Sequence, residues 1–539
     1  MRRDLFAREA LAQIPKILTL QDRNPHSPTY GCFDRNFWHY RILDFPSGMA
    51  QELVWPLALA HALDAPDNPY HGDPAVREWV EAGIRFAARS AHSDGSCDDY
   101  FPYERAGGAA AFSLLACLES CRLLGIADAE ISLFVERRAE WLSLHHESGR
   151  LTNHQALIAL GLELAGRELG TSRWEARRDE RLARVLAWQS PEGWFQEYEG
   201  CDPGYHTLTV SVLARLEELR PDPRVRAALE RAVAFTAELV HPDGSYGGEL
   251  GSRNTYNFFP HGFELAGRWL PEALAVNDRV LEGLARGLGA CHADDHILGH
   301  HAWNYLLAWR DFVPSRPVPA AHPPGRVWFR EAGLLVDRRQ GVELHAALKK
   351  GGVFKLFRDG RLAASDTHVS LLVGEAGASR PRNAVAHLVG DSACEVDLDE
   401  IAIQGSLGWA KHVRMTPLRM VALRLFMLAG GRLFPDLVRR LLQRALVTGR
   451  TIAPFTFRRT FTWVAGKPAA GARGRWRVTD EVRGDWSRVV AAGIGASQTS
   501  IANVMSRTYQ AGQLQPWLDL TRTVRSLAPG EPLRLEREP

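Results

Sequence analysis

This sequence of 539 residues has almost no excess of one charge, no long apolar run and no regular spacing of cysteines. Lys and Arg number 65 against 63 Asp and Glu, and a formal net charge of +2 excludes the broad basic surface of a nucleic-acid-binding protein. No run of about 18 apolar residues occurs, which argues against a membrane span. The nearest candidate, Met420–Phe434, contains two arginines. The seven cysteines are odd in number and irregularly spaced, which argues against a disulfide framework.

The first twenty residues begin with two arginines but lack both an unbroken apolar core and a small-residue cleavage site. This pattern is typical of an amphipathic helix and not of a signal peptide. We therefore expect a cytoplasmic protein without a nucleic-acid partner. Aromatic residues and histidine are plentiful, with 16 Trp, 11 Tyr and 20 His, and such side chains often line carbohydrate clefts.

A unit of about fifty residues recurs along the first 310 residues. Each unit combines a polar loop, punctuated by Gly or Pro, with a helix of small apolar residues. The loops are Arg41–Ser47, Asp94–Pro102, Glu147–Leu151, Glu192–Gly200, Asp243–Leu250 and Cys291–His301. A repeat of this length indicates stacked helical pairs.

Two kinds of helix alternate in this repeat. Those predicted over Gly107–Leu124, Asn153–Leu169, Tyr205–Leu219 and Phe263–Val276 are apolar on most sides and should be buried. Those over Trp174–Gln189 and Arg224–Val240 are amphipathic and rich in Arg and Glu, as in an outer layer. About six pairs predict an α/α toroid, complete or incomplete. A simple two-helix solenoid is the alternative.

The character of the chain changes after residue 310. Five prolines in Asp311–Gly325 indicate a linker, which we place at 311–326 between a toroid at 1–310 and an antiparallel β domain at 327–539. The predicted strands are Val327–Arg338, Val342–Leu348, His368–Gly374, Cys394–Gln404, Phe455–Val464, Trp476–Val482 and Thr499–Tyr509. A helical insertion at 417–448 has an apolar stripe and an Arg-rich face. It could dock on the protein or on a membrane surface, and we expect the former.

Polar residues recur at the predicted starts of the inner helices. They are Glu104, Arg105, Asn153, His154, Tyr205, His206, Asn254, Tyr256, His261, His300 and His301. In a toroid these starts meet at one mouth, where helix N-termini favour an anion. Each residue alone could be a helix cap or a hydrogen-bonded core residue. Their recurrence at equivalent positions favours a ring that binds an anionic sugar.

Part of this pattern resembles a known family. Asn153 and His154 open an inner helix, Tyr198, Tyr205 and His206 follow about fifty residues later, and a Pro-rich junction leads into β-type sequence. This combination resembles the heparinase II/III-like and alginate-lyase group of polysaccharide lyases. The resemblance implies an α/α toroid followed by an antiparallel, β-sandwich-like domain, with the substrate cleft between them. It also implies an acidic polysaccharide or oligosaccharide as substrate.

Such enzymes cleave uronate-containing chains by β-elimination, and the resemblance implies roles for the residues here. Asn153, with His154 or Arg105, would neutralise the uronate carboxylate. Tyr205 is the candidate acid and could also serve as the base, while His154 or a β-domain histidine is the alternative base. The other predicted substrate-binding residues are Tyr198, His206, Asn254, Tyr256 and His261.

The β domain departs from the family pattern. Where the family commonly has a Gly-His-x-His-x-Asp-like segment, Ser365–Leu372 contains one histidine, His368, which we take as a catalytic candidate. The nearby Lys349, Lys350 and Lys355 are interpreted as solvated surface lysines. His292, His296 and His300 have a spacing compatible with a metal, but a polar toroid mouth explains them equally well. We therefore expect no metal and no other cofactor.

Two other functions stay open at the level of sequence. A glycoside hydrolase on the same toroid would need a carboxylate pair, for which the candidates are Asp98, Asp99, Glu104, Glu197 and Glu199. A non-catalytic carbohydrate-binding or exopolysaccharide-pathway protein with a decayed lyase site is the other alternative, and the incomplete histidine segment favours it.

Overall fold

In the computed structural model, helices predominate up to residue 310, and antiparallel strands are the main regular structure after it. It describes residues 2–147, 149–198, 200–290, 292, 297–318, 322–374, 381–388, 390, 392–410, 416–446, 451–466, 474–496 and 514–539. The helices of the first part are α1 (Asp4–Leu11), α2 (Ile14–Leu20), α3 (Arg35–Trp38), α4 (Val54–Ala62), α5 (Pro74–Ser90), α6 (Gly107–Leu124), α7 (Ala129–Leu144), α8 (Thr152–Glu168), α9 (Glu175–Ala187), α10 (Pro203–Leu219), α11 (Pro223–Leu239), α12 (His261–Ala266), α13 (Pro271–Ala285) and α14 (Leu298–Arg310).

Six of these helices form a closed inner ring. Neighbours pack in the order α4, α6, α8, α10, α12, α14, and α14 returns to α4. The outer layer consists of α5, α7, α9, α11 and α13, with α1 packed against α13 and α14. The predicted α/α toroid is confirmed, and because the ring closes it is not an open solenoid.

The inner helices are buried nearly all round, as their sequences predict. Length and apolar composition alone would allow α6 to cross a membrane, but 83% of it is buried inside the protein. One predicted helix is wrong. Phe263–Val276 is interrupted, because α12 ends at Ala266 and α13 begins at Pro271, whose ring fixes φ and removes the N–H that a continuous helix needs.

Two antiparallel sheets follow the last toroid helix. Their strands are β3 (Gly325–Phe329), β4 (Leu334–Arg339), β5 (Val342–Ala347), β6 (Val353–Arg358), β7 (Arg361–Asp366), β8 (Val369–Val373), β9 (Arg382–Val385), β10 (Ala393–Val396), β11 (Glu400–Trp409), β12 (Ile452–Val464), β13 (Arg475–Gly484), β14 (Val489–Ile494), β15 (Leu518–Asp519) and β16 (Leu533–Arg537). The small sheet has the order β3-β4-β5-β6-β7. The large sheet has the order β15-β14-β8-β9-β11-β12-β13-β16, with β10 also on β11.

The observed strands differ from the predicted ones in several respects. The run predicted over Val327–Arg338 is a hairpin of β3 and β4 in which Phe329 pairs with Leu334. Six described strands, β6, β7, β9, β14, β15 and β16, had not been predicted. The run Thr499–Tyr509 lies outside the described residues. A short hairpin, β1 (Gln196–Glu197) and β2 (Gly200–Cys201), also lies within the toroid between α9 and α10.

The small sheet lies between the toroid and the large sheet. Successive side chains of a strand point to opposite faces, and β4 is buried on both. Leu334 and Val336 join the core of the toroid, whereas Leu335 joins the core between the two sheets with Leu344. This layering packs one face of the small sheet against the toroid and the other against the large sheet.

Lys350 and Lys355 are buried and tie the two parts together, contrary to their interpretation as surface residues, whereas Lys349 is exposed as predicted. The Nζ of Lys350 donates to the carbonyl oxygens of Glu249 (2.5 Å) and Gly251 (2.9 Å). The Nζ of Lys355 lies 3.1 Å from the carboxylate of Glu249 and donates to the hydroxyl of Tyr256 at 3.0 Å. The β-rich region therefore holds the loop around residues 249–256 in place.

The predicted insertion forms two helices, α15 (Pro417–Ala429) and α16 (Pro435–Leu446). Among their described side chains, those of Met427 and Val438 are buried, and the others are partly or fully exposed. The expectation that the apolar stripe docks on the protein is therefore wrong for most of its length.

Candidate active site

The first turns of two neighbouring inner helices and two loops meet at the mouth of the toroid. Asn153 and His154 lie in the first turn of α8, and Tyr205 lies in that of α10. Leu151 pairs with Glu197 as an isolated bridge, which brings the β1–β2 hairpin to the start of α8. A loop after residue 250 then places Arg253 over α10.

Arg253 and Tyr205 form the central pair of this site. The guanidinium carbon of Arg253 is 3.9 Å from the ring centroid of Tyr205 and 5.0 Å from that of Tyr198. Burial raises the pKa of Tyr205 to about 12, although the guanidinium acts in the opposite direction. At neutral pH the phenol is therefore protonated and can donate a proton.

A buried carboxylate holds this cation. Glu197 accepts from Nη1 of Arg253 at 2.9 Å and from Nδ2 of Asn153 at 2.8 Å. Burial raises the pKa of Glu197, while the charges of Arg253 and His154 oppose the shift. Because Asn153 is fully buried and directs its amide to Glu197, it positions this carboxylate.

Asp202 explains why the loop bearing Arg253 lies over Tyr205. One carboxylate oxygen caps α10 by accepting from the backbone N–H of Tyr205 at 3.1 Å. The other accepts from the backbone N–H of Arg253 at 3.0 Å, and the hydroxyl of Thr255 also binds this carboxylate. Gly204 makes the close approach possible, since a Cβ there would collide with Thr255.

His154 forms a second functional unit beside the first. Its Nδ1 lies 2.6 Å from the carboxylate of Glu147, which fixes the orientation of the half-buried ring. A Cβ at Gly108 would collide with the imidazole, so glycine makes room for it. Asn153, which precedes His154 in the first turn of α8, donates to Glu197, so the two units belong to one site. The Glu147–His154 pair is the arrangement expected of an oriented general base.

Tyr100 completes the open side of the site. It lies near enough to Tyr205 and Arg253 to interact with them electrostatically, and its side chain is 73% exposed. An exposed aromatic ring at the mouth can contact a sugar. Neither Tyr100 nor Arg253 was predicted to belong to the site. Arg253 could have been suspected, since a tyrosine acting on protons calls for a nearby cation and Arg253 adjoins the predicted Asn254.

Two predicted substrate-binding histidines are structural. His206 is buried, its Nε2 lies 3.1 Å from the hydroxyl of Thr236, and burial lowers its pKa to about 4. His261 is buried at the start of α12, with Nε2 2.8 Å from the carboxylate of Asp311. Both rings therefore serve helix packing instead of binding substrate.

Three further predicted residues are engaged elsewhere. Asn254 accepts a hydrogen bond from Lys350, and the hydroxyl of Tyr256 donates to Glu249 at 2.5 Å, so both belong to the contact with the β-rich region. Arg105 pairs with Asp94 at 3.2 Å. The cation beside Tyr205 is Arg253, which takes the place predicted for Arg105.

His368 is not at the mouth, and its predicted catalytic role is wrong on geometric grounds. It is buried in the β-rich region, where its Nδ1 accepts from the backbone N–H of Val369 at 2.6 Å and its ring lies edge-on to Phe457. Burial, aided by Arg459, lowers its pKa to about 3. A neutral imidazole enclosed in this way cannot reach a polysaccharide.

We expect His368→Asn to leave product formation within about threefold of wild type, because the side chain is enclosed in the β-rich region and cannot contact substrate. Asn keeps an acceptor for Val369 and tolerates the positive φ of 69° at this position. The lost ring contacts should lower the free energy of unfolding by about 1–3 kcal/mol. Urea unfolding and steady-state assays would measure both effects, and a loss of more than tenfold in kcat at full folding would restore a catalytic role.

A cavity of about 830 Å³ adjoins the site between the toroid and the β-rich region. Trp194, Gln196 and Ser252 line it from the toroid, and Lys349 and Ile452 from the other side. Ser252 donates to the backbone carbonyl of Glu197 at 3.0 Å and precedes Arg253 in the sequence, so the cavity lies next to the site. Aromatic, amide and ammonium groups of this kind suit the rings and anionic groups of a sugar chain.

The acids proposed for a hydrolase are largely structural. Asp98 contacts His92 at 3.0 Å and Asp99 accepts from the hydroxyl of Ser47 at 2.6 Å. Glu104 accepts from the backbone N–H of Tyr100. Glu199 lies outside the described residues.

The histidines whose spacing would suit a metal form no metal site in the described part of the chain, where no three metal-binding side chains cluster. His300 binds Glu52, with Nδ1 2.7 Å from a carboxylate oxygen. Cys291, Asp294, Asp295 and His296 lie outside the described residues.

No family model matches this sequence, and no curated protein matches it. Solved structures do match. The chondroitin AC lyase of Streptomyces coelicolor A3, in complex with chondroitin sulphate, superposes with a TM-score of 0.51 at 13% identity, covering 91% of this chain and 67% of that one. This chain has the fold of that lyase. The architecture of a helical toroid followed by antiparallel sheets is thereby confirmed.

Two other matches are more distant. A xanthan lyase of Paenibacillus gives a TM-score of 0.49 at 10% identity, covering 99% of this chain and 56% of that one. A mutant of the heparan sulfate lyase HepC from Pedobacter heparinus gives 0.42 at 13% identity, covering 91% and 70%. The chain thus spans little more than half the length of the xanthan lyase. The three proteins are named as lyases of different polysaccharides, xanthan, chondroitin and heparan sulfate, and no single lyase family is shown for this chain.

Proposed function

We propose that this protein is a polysaccharide lyase that cleaves a uronate-containing polysaccharide or oligosaccharide by β-elimination. The observation that carries the proposal is the Tyr205 phenol beneath the Arg253 guanidinium, in one site with the Glu147–His154 pair. An acid, a cation and an oriented imidazole are the three groups that this reaction requires.

The cation addresses the first difficulty of the reaction. The C5 proton of a uronate is only weakly acidic while the adjacent carboxylate carries its full charge. Arg253 binds and neutralises that carboxylate, and Glu197, positioned by Asn153, holds the guanidinium in place. The resulting carbanion at C5 spreads its charge into the carboxylate, where the same cation stabilises it.

Proton transfers complete the elimination. His154 takes the C5 proton on Nε2, while Glu147 holds Nδ1. The electron pair of the C5–H bond forms the C4–C5 double bond, the C4–O4 bond breaks, and Tyr205 gives its proton to O4. The pKa of about 12 for Tyr205, raised by burial, supports this phenol as the acid and not the base. No water is consumed.

The test is an assay of the full-length protein on a panel of uronate polymers. If the protein is a lyase, we expect new absorbance from the unsaturated uronate and products whose masses sum to that of the substrate. New reducing ends without that absorbance, with water added to the products, would show a hydrolase. Binding without cleavage of any polymer would favour the non-catalytic alternative.

A substitution near His154 tests its role without removing the imidazole. In Gly108→Ala the new methyl group displaces the ring, and we expect kcat/KM to fall by about 100-fold, because a misplaced catalytic group is costly. Gly161→Ala is the matched control, since its Cβ would lie 3.5 Å from Leu114 in ordinary contact. Equal activity of both folded variants, compared by circular dichroism and kinetics, would argue against His154 as the base.

A further inference from the structure

The hairpin formed by α15 and α16 has an unusually apolar surface. The described chain has 22 large hydrophobic side chains that are exposed, and ten of them fall between residues 418 and 441. They are Leu418, Met420, Val421, Leu425, Phe426, Leu428, Leu433, Phe434, Leu437 and Leu441. So much exposed apolar surface in one place indicates an interaction surface.

The same hairpin is strongly basic. Residues 416–446 contain six arginines, no lysine and one acid, Asp436, which gives a local charge of +5 in a chain whose formal charge is +2. The helices have 13 and 12 residues, too short to span a bilayer. Short amphipathic helices that combine apolar and arginine side chains suit the interface of an anionic membrane.

The hairpin is held against the toroid, not free in solution. Arg424 pairs with Asp44 and lies over the ring of Phe45, and the Nε2 of His145 is 4.0 Å from the carboxylate of Asp436. Ile42, two residues before Asp44 on the toroid, is also 71% exposed. These contacts with the toroid hold the hairpin at the protein surface with its apolar side chains exposed.

We propose that this hairpin binds the surface of an anionic lipid bilayer. The apolar side chains enter the boundary between headgroups and acyl chains, and exposed arginines such as Arg432 and Arg440 bind lipid phosphates. A second copy of the chain is the less suitable occupant, because a two-fold interface would set one charge of +5 against another. The neighbouring cleft would then act on saccharide close to the membrane.

Vesicle flotation of the full-length protein tests this proposal, with phosphatidylcholine vesicles that either contain or lack one third phosphatidylglycerol. We expect binding to the anionic vesicles that weakens with salt, and little binding to pure phosphatidylcholine. Leu425→Glu with Phe434→Glu should weaken binding by about 100-fold. Arg419→Gln, Arg432→Gln and Arg440→Gln together should weaken it by about fivefold per arginine.

The matched control is Leu133→Glu with Leu398→Glu, two exposed leucines outside the hairpin, which should bind like wild type. Equal losses in the control, or equal binding to both kinds of vesicle, would overturn the proposal. A dimer that forms without vesicle binding and is abolished by Leu425→Glu with Phe434→Glu in sedimentation velocity would show that a second copy covers the face. A monomer that binds no vesicle would also overturn the proposal.

Discussion

Tyr205→Phe is expected to lower kcat by about three orders of magnitude, because proton transfer to the departing oxygen contributes on this scale. Phenylalanine retains the ring beneath Arg253, so the packing at the start of α10 should persist. KM should change by less than about threefold, since Arg253 still binds the substrate carboxylate. Steady-state kinetics on the most reactive polymer of the panel would measure both parameters.

Tyr305→Phe is the control for this experiment. Tyr305 is also a buried tyrosine of an inner helix, and it packs on Phe6, away from the mouth. It should retain wild-type kcat. If Tyr205→Phe kept more than a tenth of the wild-type kcat while the lyase product still formed, Tyr205 would not be the acid.

The fold was largely predictable because the signal repeats. Apolar inner helices and amphipathic outer helices alternate at a fixed period, and each unit must bury its face against the next. Closure of the ring was not predictable, since it depends on a contact between α14 and α4, which are more than 230 residues apart in sequence. The helix break before Pro271 was not predicted, because the apolar pattern continues across this proline.

The site was only partly predictable, for reasons of geometry. Asn153, His154 and Tyr205 come together because first turns of inner helices meet at one mouth. Successive helical residues point about 100° apart, so His206 could not share the direction of Tyr205. Arg253 reaches the site through an irregular loop that Asp202 holds, and no periodicity reveals such a contact.

His368 illustrates a different failure. A motif-like histidine in β-type sequence suggests a catalytic loop, but strands from distant parts of the chain enclose it in a network of buried charges. Arg459 on β12 binds Asp480 on β13 at 2.6 Å and Asp366 on β7 at 2.9 Å. Arg537 on β16 binds both aspartates at 2.6 Å. Such a network depends on strand pairing, which the sequence alone did not reveal.

Arg459→Met is expected to lower the free energy of unfolding by about 3–5 kcal/mol at neutral pH, because it leaves two buried carboxylates with one guanidinium. Arg459 is fully buried, so water cannot replace its hydrogen bonds. Urea unfolding followed by circular dichroism would measure the change. Arg475→Met in the same sheet is the matched control, and its pair with the exposed Glu538 should contribute far less, because water and salt screen it.

The pH dependence distinguishes loss of this network from simple loss of packing. Although burial acts to raise them, Arg459 holds the pKa values of Asp366 and Asp480 below the ordinary range. The contribution of these two carboxylates to the free energy of unfolding is present above the unfolded pKa of about 3.9, and it is lost as the pH falls through the pKa values of the folded state.

In Arg459→Met the pKa values of Asp366 and Asp480 rise, so a carboxylate can take up a proton and relieve the buried charge. The stability deficit of the variant should therefore shrink between pH 7 and about pH 4. A deficit that stays constant over this range would mean that the arginine acts through its packing and not through its charge.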